Sequence, residues 1–269
     1  MAEPSLSTQQ KLMPFLTLKI STAALVISGL FSCVPVTAQP SPPSAAPKPY
    51  KQVSVTPPAR AADPDFEIFR KQLADAAQRK DRAALGTLVV PKEFFWERES
   101  GSAADDQKSG FENLAAAAGL DGKDDSGWEF LADYAAEPTA SPVIDRPEII
   151  CGPGNPTFND DEFIELVKAT GSTPFDWGYP VRSGIEVRQT TEPNSGVVEK
   201  LGMYLVRVLP DEGSVPEAAE TMLRIATPAG RLGYIPANLL SPLGLDQLCY
   251  AKLDGGWKIV GYVGEGPPQ

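Results

Sequence analysis

Two cysteines and four aromatic rings in the second half of the chain are the side chains whose type and spacing could do chemistry. Cys151 and Cys249 can form a disulfide in an oxidising compartment. The bridge would close a loop of about 100 residues, worth roughly 4 kcal/mol or somewhat more in chain entropy. The competing state is two buried free thiols. Trp177, Tyr179, Tyr204 and Tyr234 each combine a flat apolar ring with one polar group. Such a ring can meet a ligand by stacking. Packing in a core is the competing use of all four rings.

Catalytic chemistry is sharply restricted. The 269 residues include no histidine, which excludes Ser-His-Asp and Cys-His nucleophile systems and zinc sites built on imidazole. No Ser-x-x-Lys, Walker loop or Gly-x-Ser-x-Gly elbow occurs. The 35 acidic residues leave a carboxylate-based hydrolase as the remaining enzymatic route, but nothing singles out a pair. The run Asp121-Gly122-Lys123-Asp124-Asp125-Ser126-Gly127 fails as a calcium loop. Aligning Gly127 with the loop glycine puts Gly122 where a carboxylate is required. The expectation is a protein without catalysis, metal or cofactor. A net charge of −11 argues against nucleic-acid partners, which need a basic footprint.

The elements that must position these groups begin with an address. Lys11 and Lys19 precede an uncharged stretch, residues 20–31, and Val36-Thr37-Ala38 supplies a small-residue exit. These are the features of a secretory signal peptide, cleaved between Ala38 and Gln39. The apolar run of about 12 residues is short of the roughly 20 that a spanning helix needs. Leu30-Phe31-Ser32-Cys33 also resembles a lipobox, and in that alternative Cys33 carries a lipid. A lipid there would be the protein's only link to the membrane. Residues 39–63 read as a linker: seven of the 20 residues from Gln39 to Pro58 are proline, a composition that favours extended polyproline II and buries no core.

Folded structure is expected from residue 64. Phe66, Phe69, Leu73, Ala76 and Ala77 lie three and four apart, predicting a helix over 65–79 capped by Asp63 or Asp65. Asp81 can cap a second, short helix carrying Ala84, Leu85 and Leu88. Phe94-Phe95-Trp96 reads as a strand or buried turn. Helices are predicted over 110–120, ending near Gly119, and over 127–136, stopped by Glu137-Pro138. This opening resembles the cone-shaped domains related to nuclear transport factor 2 over some 30 residues. Residues 143–183 form a bridging segment. Its helix, 160–169, is capped by Thr157 or Asn159 and closed by Gly171. Phe175, Trp177 and Tyr179 then alternate along one face of an extended piece.

From Gly184 the pattern turns to short strands separated by turns, which signals a small barrel or sandwich. Val187-Arg188, the stretch Val198 to Gly202, and Gly230-Arg231-Leu232-Gly233-Tyr234-Ile235 together resemble bacterial SH3 domains over about 60 residues. Met222-Leu223 stands where that family commonly has tryptophan, and the acidic loop 210–220 is long. The chain also continues into an additional hairpin, Cys249–Leu253 and Trp257–Val263 around Asp254-Gly255-Gly256, with Trp257, Ile259 and Tyr262 facing a core and Gly261 marking a bulge or bend. The resemblance implies binding of peptidoglycan peptides or of an envelope protein.

The expected fold class is therefore α+β, a mainly helical N-terminal region followed by a small SH3-like β-barrel. The expected domains are a leader (1–38), a proline-rich linker (39–63), a mainly helical α+β domain (64–142), a bridging segment (143–183) and the barrel with its extra hairpin (184–269). The expected protein is exported to the periplasm or beyond. It binds through Trp177, Tyr179, Tyr204 and Tyr234, or serves as a structural subunit of an envelope complex.

Overall fold

The computed structural model describes residues 47–210, 222–253 and 255–266. Cys33, the Ala38–Gln39 cleavage point and nearly all of the acidic 210–220 loop lie outside the described residues. Among the described residues the protein is α+β, with five helices and two sheets.

The first four helices form where the apolar spacing places them. Helix α1, Pro64–Gln78, is capped by Asp63, whose carboxylate accepts from the Asp65 N–H. Helix α2, Arg82–Leu88, is capped in the same way by Asp81 on the Ala84 N–H. A four-residue strand β1 (Phe95–Arg98) and a short β2 (Gly101–Ser102) follow. Helix α3, Gly110–Ala118, starts at a capping box of Ser109 with Glu112 and stops at Gly119, whose φ of 69° suits a residue without Cβ. Helix α4 covers Ser126–Ala136. Each helix turns its apolar stripe to one layer, so Phe66, Leu73, Leu85, Leu114 and Leu131 end at 1% exposure or less.

The layer beneath them is a six-stranded sheet with an unexpected member. Strands β3 (Ser141–Val143) and β4 (Arg146–Gly152) form its far edge. Its centre is the C-terminal hairpin, which carries the last two strands, Gln247–Leu253 and Gly256–Val263. The sequence pattern assigned this hairpin to the barrel; it belongs instead with β4 and β1. The Gln247–Leu253 strand pairs antiparallel with β4, and Gly256–Val263 pairs parallel with β1. Turn chemistry determines that the two strands pair with each other. It carries no information about which sheet receives them. A bulge skips Val260, since Cys249 faces Gly261 while Tyr250 faces Ile259. The extra residue moves the next inward position from 261 to 262, so Ile259 and Tyr262 both enter the helical core at 0% exposure.

Everything between β4 and this hairpin is an insertion. Its described residues form helix α5 (Asp160–Thr170), two 3₁₀ turns (Pro174–Asp176 and Ala237–Leu239) and seven strands. These are β5 (Trp177–Pro180), β6 (Ile185–Arg188), β7 (Val197–Leu201), β8 (Val206–Val208), β9 (Met222–Ala226), β10 (Leu232–Pro236) and β11 (Leu240–Pro242). They join in the order β11-β5-β8-β9-β10-β6-β7. With that naming, the hairpin strands are β12 (Gln247–Leu253) and β13 (Gly256–Val263). Ile185, Val187, Leu201, Val206, Ile225 and Ile235 fill the inside of the second sheet. The Cys151–Cys249 disulfide is formed, and its residues are direct cross-strand partners on β4 and β12. It staples the two strands at the neck where the chain leaves the first sheet and returns.

The linker corrects a second expectation. From Pro47 on, the proline-rich stretch is a docked strap. Val53 O accepts from Leu205 N–H, Val55 N–H donates to Met203 O, and Thr56 and Thr157 exchange both backbone hydrogen bonds. Val53 and Val55 are 0% and 6% exposed. The reason is local: Lys51-Gln52-Val53-Ser54-Val55-Thr56 alternates with period two, so both valines share a face. Proline composition hid that pattern.

Close approach at the β1–β13 pair leaves no room for a methyl group at Gly261, whose added Cβ would overlap the Phe95 ring. Gly261→Ala is expected to destabilise the protein by about 1–3 kcal/mol through overpacking, measured as the shift in urea midpoint. An unchanged midpoint would show that the Phe95 ring yields freely.

Candidate ligand-binding site

The four aromatic residues expected to bind a ligand stand in different surroundings, Trp177 and Tyr179 inside one core and Tyr204 against another. Trp177 is fully buried in a core with Val53, Val55, Leu166, Tyr179 and Leu205. Tyr50 of the strap meets its ring edge-on at 5.1 Å, Phe163 of α5 covers it at 6.3 Å, and its indole N–H donates to Ser172 Oγ at 2.9 Å. Tyr179 is 5% exposed and hydrogen-bonds Ser241; burial pushes its phenol above the usual range. Tyr204 is half-buried against the core of the second sheet, with its hydroxyl donating to Glu199 at 3.3 Å. Tyr234 stands half-buried on β10, opposite Arg188 of β6 and Arg224 of β9. The strap is what covers Trp177. A ring that looks free when the linker is taken as disordered becomes interior once Tyr50 and Val53 dock.

The alternation also misplaced Phe175. A strand reading puts it on one face with Trp177 and Tyr179. Instead Pro174 opens a 3₁₀ turn, with the Asp176 carboxylate accepting from Thr173 N–H, and this turn swings Phe175 outward to 61% exposure. There it lines a cleft of about 240 Å³ with Pro156, Phe158, Phe163, Pro174 and Leu243. Asn155 forms a polar end; its side-chain oxygen accepts from Gln247 Nε2 at 3.3 Å, and that amide also donates to Pro153 O. The signal present in the sequence was the Pro174-Phe175 pair directly after the Gly171 helix stop. Proline at the first position of a turn overrides strand periodicity.

The lining sets the chemistry. Three phenylalanines and two prolines give a rigid apolar slot, and one amide end can orient a polar group. The slot is sized for a single ring or short side chain rather than a large cofactor. Beside it, Asp160, Asp161 and Glu162 occupy the first turn of α5, where the helix dipole favours acids. Among the described residues no cluster of three metal-ligating side chains gathers. The cluster with the most strongly perturbed phenols lies elsewhere, at the neck. Tyr262 donates to the Asp246 carboxylate, and Tyr134 donates to the Asp246 main-chain oxygen. Burial is the largest cause that holds both phenols in the neutral form. These bonds fasten the start of β12 to α4 and β13, which is a structural task.

Comparison with known proteins gives no match to a protein-family model, a curated protein or a solved structure.

Proposed function

We propose that this chain is an exported, non-catalytic binding protein of the bacterial cell envelope, whose SH3-like unit recognises peptidoglycan or a protein partner. The observation that carries the reading is the open Phe158–Phe163–Phe175 cleft, mounted on a unit whose neck is closed by a disulfide. An aromatic slot with a polar end suits binding by stacking and burial. The disulfide suits an oxidising compartment. Support for an SH3-like unit comes from the antiparallel meander β8–β9–β10, followed by the 3₁₀ turn Ala237–Leu239 and the short β11. The segments that resemble bacterial SH3 domains fall on β6, β7 and β10.

The test is co-sedimentation with purified cell-wall sacculi. The protein is expected in the pellet, and Phe175→Ala, at an exposed position, is expected to return it to the supernatant without lowering its melting temperature. Wild-type protein left in the supernatant ends the wall-binding reading. The exposed Phe175 and Leu245, 61% and 43% accessible, then favour the second reading, an accessory subunit docked on an envelope protein, which pull-down from the envelope fraction with the same variant would test. Mass spectrometry of the exported form tests the leader: a mature chain starting at Gln39 supports cleavage after Ala38, and a lipid-modified Cys33 supports the anchor.

A further inference from the structure

A second, larger cleft of about 690 Å³ lies between the strap and helix α5. Its walls are Pro47–Lys51 on one side and, on the other, the part of α5 that carries Glu162, Glu165 and Leu166. Its floor is Arg207 of β8 and Ala226 of β9. The volume is that of a small-molecule site.

The charges in this cleft run against those of the protein. The chain as a whole carries −11, yet four cations, Lys48, Lys51, Lys168 and Arg207, line the cleft against two acids, Glu162 and Glu165. Lys51 is committed to Glu162 at 2.8 Å. Lys48 and Lys168 have no acidic partner among the described residues. Acidic residues are plentiful elsewhere on the surface and already neutralise Lys80, Arg82 and Lys252. Two of the four cations at this cleft are thus left without an ion pair.

Arg207 adds an independent observation. One guanidinium N–H donates to Thr170 O at 3.3 Å, and a second nitrogen stands 3.7 Å from Asp176. Its Nε is buried with no protein partner. A buried donor left without an acceptor costs free energy, so native proteins satisfy such groups with a protein group, water or ligand. The planar fork of arginine matches the paired oxygens of a carboxylate or phosphate. Tyr50 holds the floor in place, its hydroxyl donating to Ala226 O at 2.8 Å and accepting from Arg207 N–H at 3.3 Å.

We infer that this cleft is a binding site for a small oxyanion ligand, a molecule carrying a carboxylate or phosphate, held by Arg207 from the floor and by Lys48 and Lys168 from the two walls. The inference does not rest on wall binding through the aromatic cleft. It assigns a role to the strap, which brings Lys48 to within one cleft of α5. Without the docked strap the site has one wall.

Isothermal titration calorimetry of the purified protein, in low salt, tests the site with inorganic phosphate and with succinate as separate probes. At least one probe is expected to bind one-to-one. The double variant Lys48→Gln/Lys168→Gln is expected to weaken that binding at least about tenfold, about 1.4 kcal/mol, because two cationic contacts to the anion are lost. Added salt should weaken it as well. Both lysines are exposed and unpaired, so the variant is expected to melt with wild type. Phosphate alone binding assigns the phosphate class, succinate alone the carboxylate class, and both the shared oxyanion chemistry. Binding of neither up to about 10 mM overturns the inference; so does binding that the double variant leaves unchanged. Phe175→Ala should bind the anion as wild type does, which separates failure of this site from failure of the aromatic cleft.

Discussion

Replacing both Cys151 and Cys249 by alanine is expected to cost about 4.7 kcal/mol of stability, the chain-entropy value for a loop near 100 residues. The bridge spans 98 residues, and those residues hold α5 and all of the second sheet. In the unfolded chain this long segment would otherwise open freely. In the folded protein its ends already sit side by side, because Cys151 and Cys249 are register partners on β4 and β12. The cross-link therefore acts mostly on the unfolded state. For a folded body of this size the loss corresponds to a fall in melting temperature of roughly 10–20 °C. Reductant should reproduce the fall in wild type and change nothing in the double variant. A wild-type melting curve that is indifferent to reductant, with thiol titration confirming that the bridge was open, would show the staple to be dispensable.

A second large effect is expected in alkali. Four tyrosines are held neutral by burial above their ordinary value of 10.0: Tyr50, Tyr134, Tyr250 and Tyr262. Tyr250 sits against the Phe66 and Phe69 rings, and Tyr134 and Tyr262 converge on Asp246. Below pH 10 these phenols are protonated in both folded and unfolded chains, and the native state keeps its full advantage. Above pH 10 the unfolded chain releases protons that the folded protein retains. Stability is then lost as pH rises, by about 1.4 kcal/mol per pH unit for each tyrosine and about 5.5 kcal/mol per unit for the four together. Unfolding should set in steeply above pH 10, with phenolate absorbance rising in step with loss of circular dichroism. Phenolates that titrate near pH 10 while the dichroism stays native would contradict the burial argument.

Local signals carried much of the architecture. Asp63, Asp81 and Asn159 cap the helices that their positions announce, and Gly119 and Gly171 close two of them in the left-handed region. These features were legible because a cap or a positive φ is settled within four residues of chain. The candidate sites were far less legible. Phe175 left its expected face because Pro174 begins a 3₁₀ turn. The Arg207 cleft needs a strap residue, Lys48, and a helix residue, Lys168, brought together across about 120 positions of sequence.

The amino-acid order alone lays out the parts: amphipathic helices, alternating strands, a tight hairpin, one pair of cysteines able to cross-link, and no imidazole for acid–base catalysis. Folding in three dimensions adds that the last hairpin completes the first sheet, that the strap walls off Trp177, and that the second sheet is an insertion closed at its neck. The difference is one of range. Caps, periodicity and turns are energies of neighbouring residues, whereas sheet membership and cleft walls arise from contacts between distant segments, and many pairings satisfy the same local pattern until the core selects one.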